Sequence, residues 1–357
     1  MPSLEEQSRV VAAYRDAELY LLTLIREAVE GSATQAHYIN QERHLRRILK
    51  LAQARLDRLA GHLDQAVLEE MEREYARAVR EAIAQTPTPV PSLVPTAAVE
   101  ATAIETAAVV ASQHQQILRS VHDAYRAIQR TTITNAIVSG EPNTQAVQAM
   151  LNRLADSGLT SFRDSAGRKW AMDTYADMAV RTGRMRALNQ GHMDGWQAGG
   201  VELVRVSQHP ASHPWCYPFQ GKLLAIKGGA GPHTLTDRVT GEQITVTAVA
   251  TFDEAVSRGY KHPNCRHSEG AYIPGFTSNQ PEVVDEAENE RQYKALQRQR
   301  QIERNIRQWK KRQAVAMSPE QQAYAKRKIR SWQATQRDHV KSHSFLTRRY
   351  EREKVRA

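Results

Sequence analysis

Two short stretches hold the densest concentration of metal-ligating and nucleophilic side chains in this chain. SQHPASHPWCYPFQGK carries His209, His213, Trp215 and Cys216, and HPNCRHSEGAYIPG carries His262, Cys265, Arg266 and His267. The spacings H-x3-H-x2-C and H-x2-C-x-H permit a zinc site, because zinc takes four nitrogen or sulfur ligands from loops of this kind. Six candidates (His209, His213, Cys216, His262, Cys265 and His267) compete for four places, and no C-x2-C knuckle selects among them. Two other readings stay open. Cys216 and Cys265, the only cysteines, would touch each other, reduced or oxidised. Alternatively, these side chains do what most buried His and Cys do, which is to hydrogen-bond loops or fill core space. That last outcome is the commonest, so no cofactor is expected as a requirement, with structural zinc as the exception to test.

Catalysis is less well supported by the same residues. A Cys–His nucleophile needs a third orienting group and an oxyanion hole, and neither can be placed from the sequence. His209 and His213 have i,i+4 spacing, but Pro210 and Pro214 interrupt the segment and no glutamate supplies the base of an H-E-x-x-H site. No G-x-x-x-x-G-K-[ST] loop occurs. The expectation is a protein that is not an enzyme.

The elements that must position these loops read as a mainly α protein with a small α+β module. Residues 8–30 show apolar residues at three- and four-residue steps (Val11, Tyr14, Ala17, Leu21, Ile25, Ala28), with Gly31 as a stop. Leu45, Leu49, Ala52, Leu56, Leu59 and Leu63 repeat as a heptad seam, predicting a helix over about 41–84 that packs lengthwise on another helix. A hairpin with the first helix through residues 31–40 is the favoured pairing. Prolines crowd 85–95 and predict an extended connector. Helical texture runs from Ala98 through Ala127, over 143–156 with Asn143 as N-cap, and from Trp170 to about Gln197 after a turn at Asp164–Gly167. It ends at Gly199–Gly200. Strand-like alternation then appears in VELVRVSQH, KLLAIKG and EQITVTAVATF. From Asn279 the chain is helical again, with Ser318 and Pro319 marking a second start. The expected division is 1–84 as a helical hairpin, 85–97 as a linker, 98–200 as a helical domain, 201–276 as the β-containing module and 277–357 as a basic helical arm.

Charge is distributed unevenly along these segments. The net charge is +10, yet 20 of the 49 Lys/Arg residues lie from Arg291 onward, against 5 of the 39 Asp/Glu. The rest of the chain is therefore slightly acidic. A basic tail suits a polyanion or an acidic protein surface. Arg304, Arg307, Lys310, Lys311, Arg312, Lys326, Arg327, Lys328 and Arg330 are the candidates for contacting DNA or a partner. Tyr293, Trp309, Tyr324 and Trp332 lie among them and are read as the apolar face of the tail helices. No window is long and apolar enough for a membrane span, and MPSLEEQSRV has no secretory pattern, so a cytoplasmic site of synthesis is expected.

The same residues carry a resemblance. TYADMAVRTGRMRALNQGHMDGWQAGGVELVRVSQHPASHPWCYPFQGK, HPNCRHSEGAYIPG and the Gln/Arg-rich run after residue 288 resemble the minor capsid protein 2 family of tailed bacteriophages. Tyr175, Arg181, Thr182, Val206, Ser207, His209, His213, Gln220, Gly221, Lys222, Asn264, Cys265, Arg266 and His267 match its pattern in order. His262-Pro263-Asn264-Cys265-Arg266 also matches the His-Pro-x-Cys-Arg loop of the related Mu F-type head morphogenesis proteins. Two local departures are Phe219, where tryptophan is expected, and Cys216, an addition to the His-x3-His stretch. The resemblance implies a head component present in several copies per particle, at the portal vertex or capsid interior. Its partners would be portal protein, major capsid protein and packaged double-stranded DNA. It would be located in the virion, and in the host cytoplasm during assembly. Its His and Cys loops would then be a fold-stabilising knot.

Overall fold

The computed structural model describes residues 8–30, 41–86, 97–139, 144–158, 162–163, 169–170, 172–262, 265, 267–277 and 285–355. Helices α1 (Arg9–Glu30), α2 (Gln41–Ile83), α3 (Ala97–Ala111), α4 (His114–Ser139) and α5 (Thr144–Ser157) come first. A two-stranded pair, β1 (Phe162–Arg163) and β2 (Lys169–Trp170), precedes α6 (Met172–Ala198). The β-containing stretch holds β3 (Leu203–Val206), β4 (Leu223–Ala225), β5 (Gly231–Thr236), β6 (Gln243–Thr251), α7 (Phe252–Ser257) and β7 (Glu269–Ala271). Helices α8 (Glu286–Ala314) and α9 (Pro319–Lys341) follow. The mainly α architecture with a small mixed sheet is as expected from the sequence, and among the described residues no helix is long and apolar enough to cross a membrane.

The chain forms two compact units, neither contiguous in sequence. The first comprises Met1–Val67, Glu105–Val180 and Gln299–Ala357. Its core draws on the stripe of α1 (Val11, Tyr14, Leu21, Ile25), on Ile117, Val121 and Ile128 of α4, and on Ile302 and Ile306 of α8. Tyr14 Oη lies 2.6 Å from His114 Nε2, joining α1 to α4. Arg55 of α2 donates to Asp16 of α1 at 2.6 Å. The C-terminal helices are integral to this unit. Lys311 donates to Glu18 at 2.6 Å, where Glu18 is fully buried, and Arg312 forks onto Asp156, its Nε 2.6 Å from Oδ1. Gln148 of α5 accepts from the Met317 N–H and donates to the Val315 carbonyl, clamping the turn between α8 and α9. Ser318 caps α9 by accepting from the Gln321 N–H, with proline at the first turn as expected.

The second unit comprises Leu68–Ile104 and Arg181–Arg298. Here the C-terminal half of α2 lies against α6 with almost no space between the backbones. A Cβ on Gly191 would fall 2.5 Å from the Tyr75 carbonyl oxygen, and one on Gly195 would fall 2.6 Å from the Ala82 Cβ. Glycines four apart let two helices approach this closely. Polar ties flank the contact: Tyr75 donates to Asp194 at 2.7 Å, and Arg184 donates through Nε to Glu74 at 3.1 Å, both residues buried. The sheet order is β5-β6-β4-β3-β7, with β4 and β6 parallel and the other neighbours antiparallel. Trp196, Val204, Val206, Phe219, Leu224, Ala250 and Tyr260 fill the core on one face, and Leu203, Leu223, Ala225 and Ala248 the other. A capping box at Thr251 and Glu254 starts α7. Gln85 Oε1 accepts from the Ala271 N–H at 2.8 Å, so the end of α2 satisfies the outer strand β7.

Several local expectations are corrected. Trp170 belongs to β2, paired with Phe162, and α6 starts two residues later. The helical run 98–127 is broken at Ser112–Gln113, where the Ser112 hydroxyl donates back to the Val109 carbonyl. The heptad seam of α2 passes through Ile48, with Leu49 and Leu59 only half-buried, and continues through Val67, Met71 and Tyr75. Strand β5 is not among the strands expected from the sequence, because Gly231 and Pro232 open it and only four residues follow them. Gly31, the turn 31–40, the prolines of 87–96, Asn143 and the turn Asp164–Gly167 lie outside the described residues.

Candidate functional site

The loop after β3 and the loop before β7 meet in the second unit. Val206 ends β3, and the chain turns back through a 3-10 turn, Tyr217–Phe219. Gly221, with φ at +69°, lets Lys222 enter β4, and its N–H donates to the Val206 carbonyl. This turn buries Gln220 and packs the Phe219 ring 5.5 Å from that of Tyr260, so phenylalanine fills the position where tryptophan was expected. Ser207 ties the second loop: its N–H donates to the Ser268 carbonyl, and its hydroxyl accepts from the Ser268 N–H. Helix α8 reaches the first loop. Asn289 accepts from the Ser212 N–H and donates to its carbonyl, while Gln292 accepts from the Ala211 N–H. Those contacts hold Ala211 at a φ of +59°, a left-handed conformation unusual for alanine.

Inside, Cys216 Sγ lies 3.6 Å from Cys265 Sγ, both buried and both free thiols. Cys265 Sγ is 3.5 Å from His267 Nδ1. His267 Nε2 faces Gln220 Oε1 at 3.2 Å and Ser212 Oγ at 3.3 Å. A ring nitrogen of His262 completes a group with the two sulfurs, all three atoms within 4.8 Å of one another. The thiol of Cys216, donating to its neighbour in a buried place, is pushed far above the ordinary thiol range. Cys265, hydrogen-bonded to the Cys216 thiol and close to His267 and Lys261, is pulled down to about 3. Beside it, Lys261 pairs with buried Glu269 at 3.0 Å and donates to the His267 carbonyl at 2.7 Å, and the Tyr260 hydroxyl donates to Glu269.

Of the other histidines, His213 lies at the edge, its ring 4.2 Å from His262 and 5.5 Å from Tyr293. Burial and the neighbouring His262 hold its pKa below the ordinary imidazole value. His209 stands edge-on to His267 at 5.3 Å, and its N–H donates to Gln220. Exposed Trp215 rests against His213. Tyr175, Arg181 and Thr182 lie half-buried on α6 and Lys222 is exposed. None of them belongs to the group around the two sulfurs. Asn264 and Arg266 lie outside the described residues. Ser212, Lys261, Glu269, Asn289 and Gln292 were not anticipated from the sequence, since no spacing links α8 to the loop it holds.

The nine basic candidates divide between two roles. Lys311 and Arg312 are spent on Glu18 and Asp156, and Arg307 and Lys310 donate to the carbonyls of Arg352 and Glu353. Arg304 is exposed. On α9, Lys326, Arg327 and Arg330 point outward and Lys328 is half-buried. Tyr293, Trp309 and Trp332 are half-buried and Tyr324 is exposed, so the buried apolar positions of the tail helices belong to aliphatic residues. Ile302, Ile306, Val315, Ala325 and Ile329 fill them. Trp309 and exposed Tyr324 instead meet edge to face at 5.6 Å, with Arg312 4.5 Å over Trp309 and Lys328 near both rings. Tyr293 lies in the other unit, against His213.

The family model for phage minor capsid protein 2 matches residues 3–341, nearly the whole chain and all of the elements above up to the end of α9. The chain belongs to the phage minor capsid protein 2 family. A structural protein of Lactococcus phage LL-H is 29% identical over 227 residues, 62% of this chain and 58% of that protein, so the chain spans little more than half of that relative's length. A structural protein of Lactococcus phage mv4 is 37% identical over 95 residues, 26% of this chain and 77% of its own. No solved structure matches. The chain is thus a structural protein of a tailed-phage particle.

Proposed function

We propose that this minor capsid protein docks on portal or major capsid protein in several copies, at the portal vertex or the inner face of the head, and touches packaged double-stranded DNA through α9. The carrying observation is a stripe of charge. Lys326, Arg330, Arg337 and Lys341 are all exposed. At about 100° per residue they fall within a band roughly 60° wide and about 22 Å long. The two acids of the helix, Glu320 and Asp338, lie roughly 60° beyond its edge on the same projection. Among the described residues none of the four cations is in a salt bridge, whereas their counterparts on α8 are spent inside the unit. A polyanion is the partner such a stripe fits, through sequence-independent phosphate contacts.

The role is non-catalytic in this reading. Cys265 is buried and its sulfur lies 3.6 Å from that of fully buried Cys216. The test substitutes glutamine at Lys326, Arg330, Arg337 and Lys341. Four phosphate contacts give a slope of about −3.6 in log K against log salt, an affinity loss of about 150-fold between 50 and 200 mM. The variant is expected to enter particles normally, to bind DNA weakly and to lose most of that slope. An unchanged slope would remove the DNA assignment, and loss of the variant from particles would make the stripe a protein-docking surface.

A further inference from the structure

We propose that the loop cluster of the second unit is a structural zinc site, with Cys216, Cys265, His262 and His267 as its four ligands. The inference does not rest on the DNA or docking assignments above.

Distances support it first. Tetrahedral zinc with sulfur ligands at about 2.3 Å and nitrogen at about 2.0–2.1 Å separates two sulfurs by about 3.8 Å, and a sulfur from a nitrogen by about 3.5 Å. The two sulfurs stand 3.6 Å apart, far outside bonding range, and His267 Nδ1 stands 3.5 Å from Cys265 Sγ. Two edges of the tetrahedron are therefore already set. The His262 nitrogen lies within 4.8 Å of both sulfurs, while His267 is set against Cys265 alone, so both rings must move inward to close the tetrahedron.

Tautomer logic supports it independently. The backbone N–H of His209 donates to the side chain of Gln220 at 2.7 Å, so the Gln220 atom facing it is the carbonyl oxygen. That same oxygen faces His267 Nε2 at 3.2 Å, which makes Nε2 the protonated nitrogen. In a neutral ring Nδ1 then carries the lone pair, and it is the atom directed at Cys265. This is how an outer hydrogen bond orients a metal-ligating histidine. His213 lacks that preparation: its Nδ1 already accepts from the Trp215 N–H at 3.2 Å, so its other nitrogen holds the proton.

On binding, Zn²⁺ displaces the thiol protons of Cys216 and Cys265 to solvent, leaving two thiolates and two neutral imidazoles, with no change of oxidation state. A groove lined by Thr182, Arg186, Asn189, Asp253, Lys261 and His262 gives the ion a way in from the His262 side. Such a site would knot the two loops together and anchor the start of α8 through Ser212 and Asn289.

The test is metal analysis of the full-length chain expressed with zinc in the medium. About one zinc per chain is expected, falling to a small fraction in Cys216→Ser, Cys265→Ser and His267→Ala, and staying near one in His209→Ala and His213→Ala. Because a ligand variant can fail to fold, the wild-type protein is also stripped and titrated with cobalt(II). Tetrahedral visible bands with thiolate charge-transfer absorption are expected, and they should disappear when zinc is added. Zinc-free protein with no tetrahedral cobalt spectrum would overturn the site. So would a Cys216–Cys265 disulfide in freshly purified protein, or zinc retained in His267→Ala but lost in His213→Ala.

Discussion

Replacing Glu18 with alanine should destabilise the first unit by about 3–5 kcal/mol, because it strands a buried ammonium. Glu18 has no exposed side-chain surface, Lys311 is 10% exposed, and the two meet at 2.6 Å. At that burial little water remains to solvate Lys311 when its partner is gone. For a unit of this size each kcal/mol is worth about 2–4 °C in Tm, so the loss should appear as a drop of roughly 6–20 °C. Glu18→Gln keeps an acceptor and should cost less. The paired replacement Glu18→Leu with Lys311→Met removes both charges and should recover most of the loss, since apolar isosteres often match or exceed buried ion pairs. Urea and thermal denaturation give the magnitudes, and hydrogen exchange of α1 and α8 peptides assigns them to this unit. A cost below about 1 kcal/mol for Glu18→Ala, or a double variant as weak as the single ones, would refute the reasoning. The consequence reaches phage genetics. Truncation at residue 291 would remove Lys311, Ile302 and Ile306 from the unit's core, so the role of the basic helices has to be tested by surface substitution.

Two further predictions concern the second unit. Gly195→Ala would set a Cβ 2.6 Å from that of Ala82, and the forced separation of α2 and α6 should cost about 1–3 kcal/mol in urea denaturation; a variant as stable as the parent would show that the helices part freely. Buried His192 is stacked on Trp196 and 3.3 Å from Glu81, and burial lowers its pKa, against the pull of Glu81 and Glu269 and with a small push from Lys261. Its folded pKa is below the unfolded one, so its contribution is complete above the ordinary imidazole value of 6.5 and is lost as pH falls from there toward the folded value. Stability measured at pH 7.5 and 5.5 should therefore fall more in the parent than in His192→Gln, and equal losses in both would exclude His192 as the source.

The elements legible in the sequence were those whose periodicity is set by local burial. The stripe of α1, the long α2 and the Ser318–Pro319 start of α9 follow from residue patterns alone, as do β3, β4 and β6. What escaped depends on contacts distant in sequence. Trp170 reads as helical until Phe162 offers a strand partner. Lys311 and Arg312 look like any solvated cations in a basic run, and only Glu18 and Asp156, far away in the chain, reveal them as interior ties. The paired loops were visible as a cluster from their residue types, but spacing alone chose no ligand set. For the proposed zinc site the selection would rest on Gln220, whose carbonyl faces His267 Nε2, and on Asn289, which holds the Ser212 loop in place. Trp309 and Tyr324 show the reverse error: their spacing suits a buried face, yet smaller aliphatic residues fill that face and the rings are left to the arginines and lysines.

Quantitative mass spectrometry of purified particles tests most directly whether the chain is a structural constituent of the phage head. Intact virions and DNA-free heads should both contain the chain, in far fewer copies than the major capsid protein. Its presence in infected-cell lysate together with its absence from both kinds of particle would contradict that role.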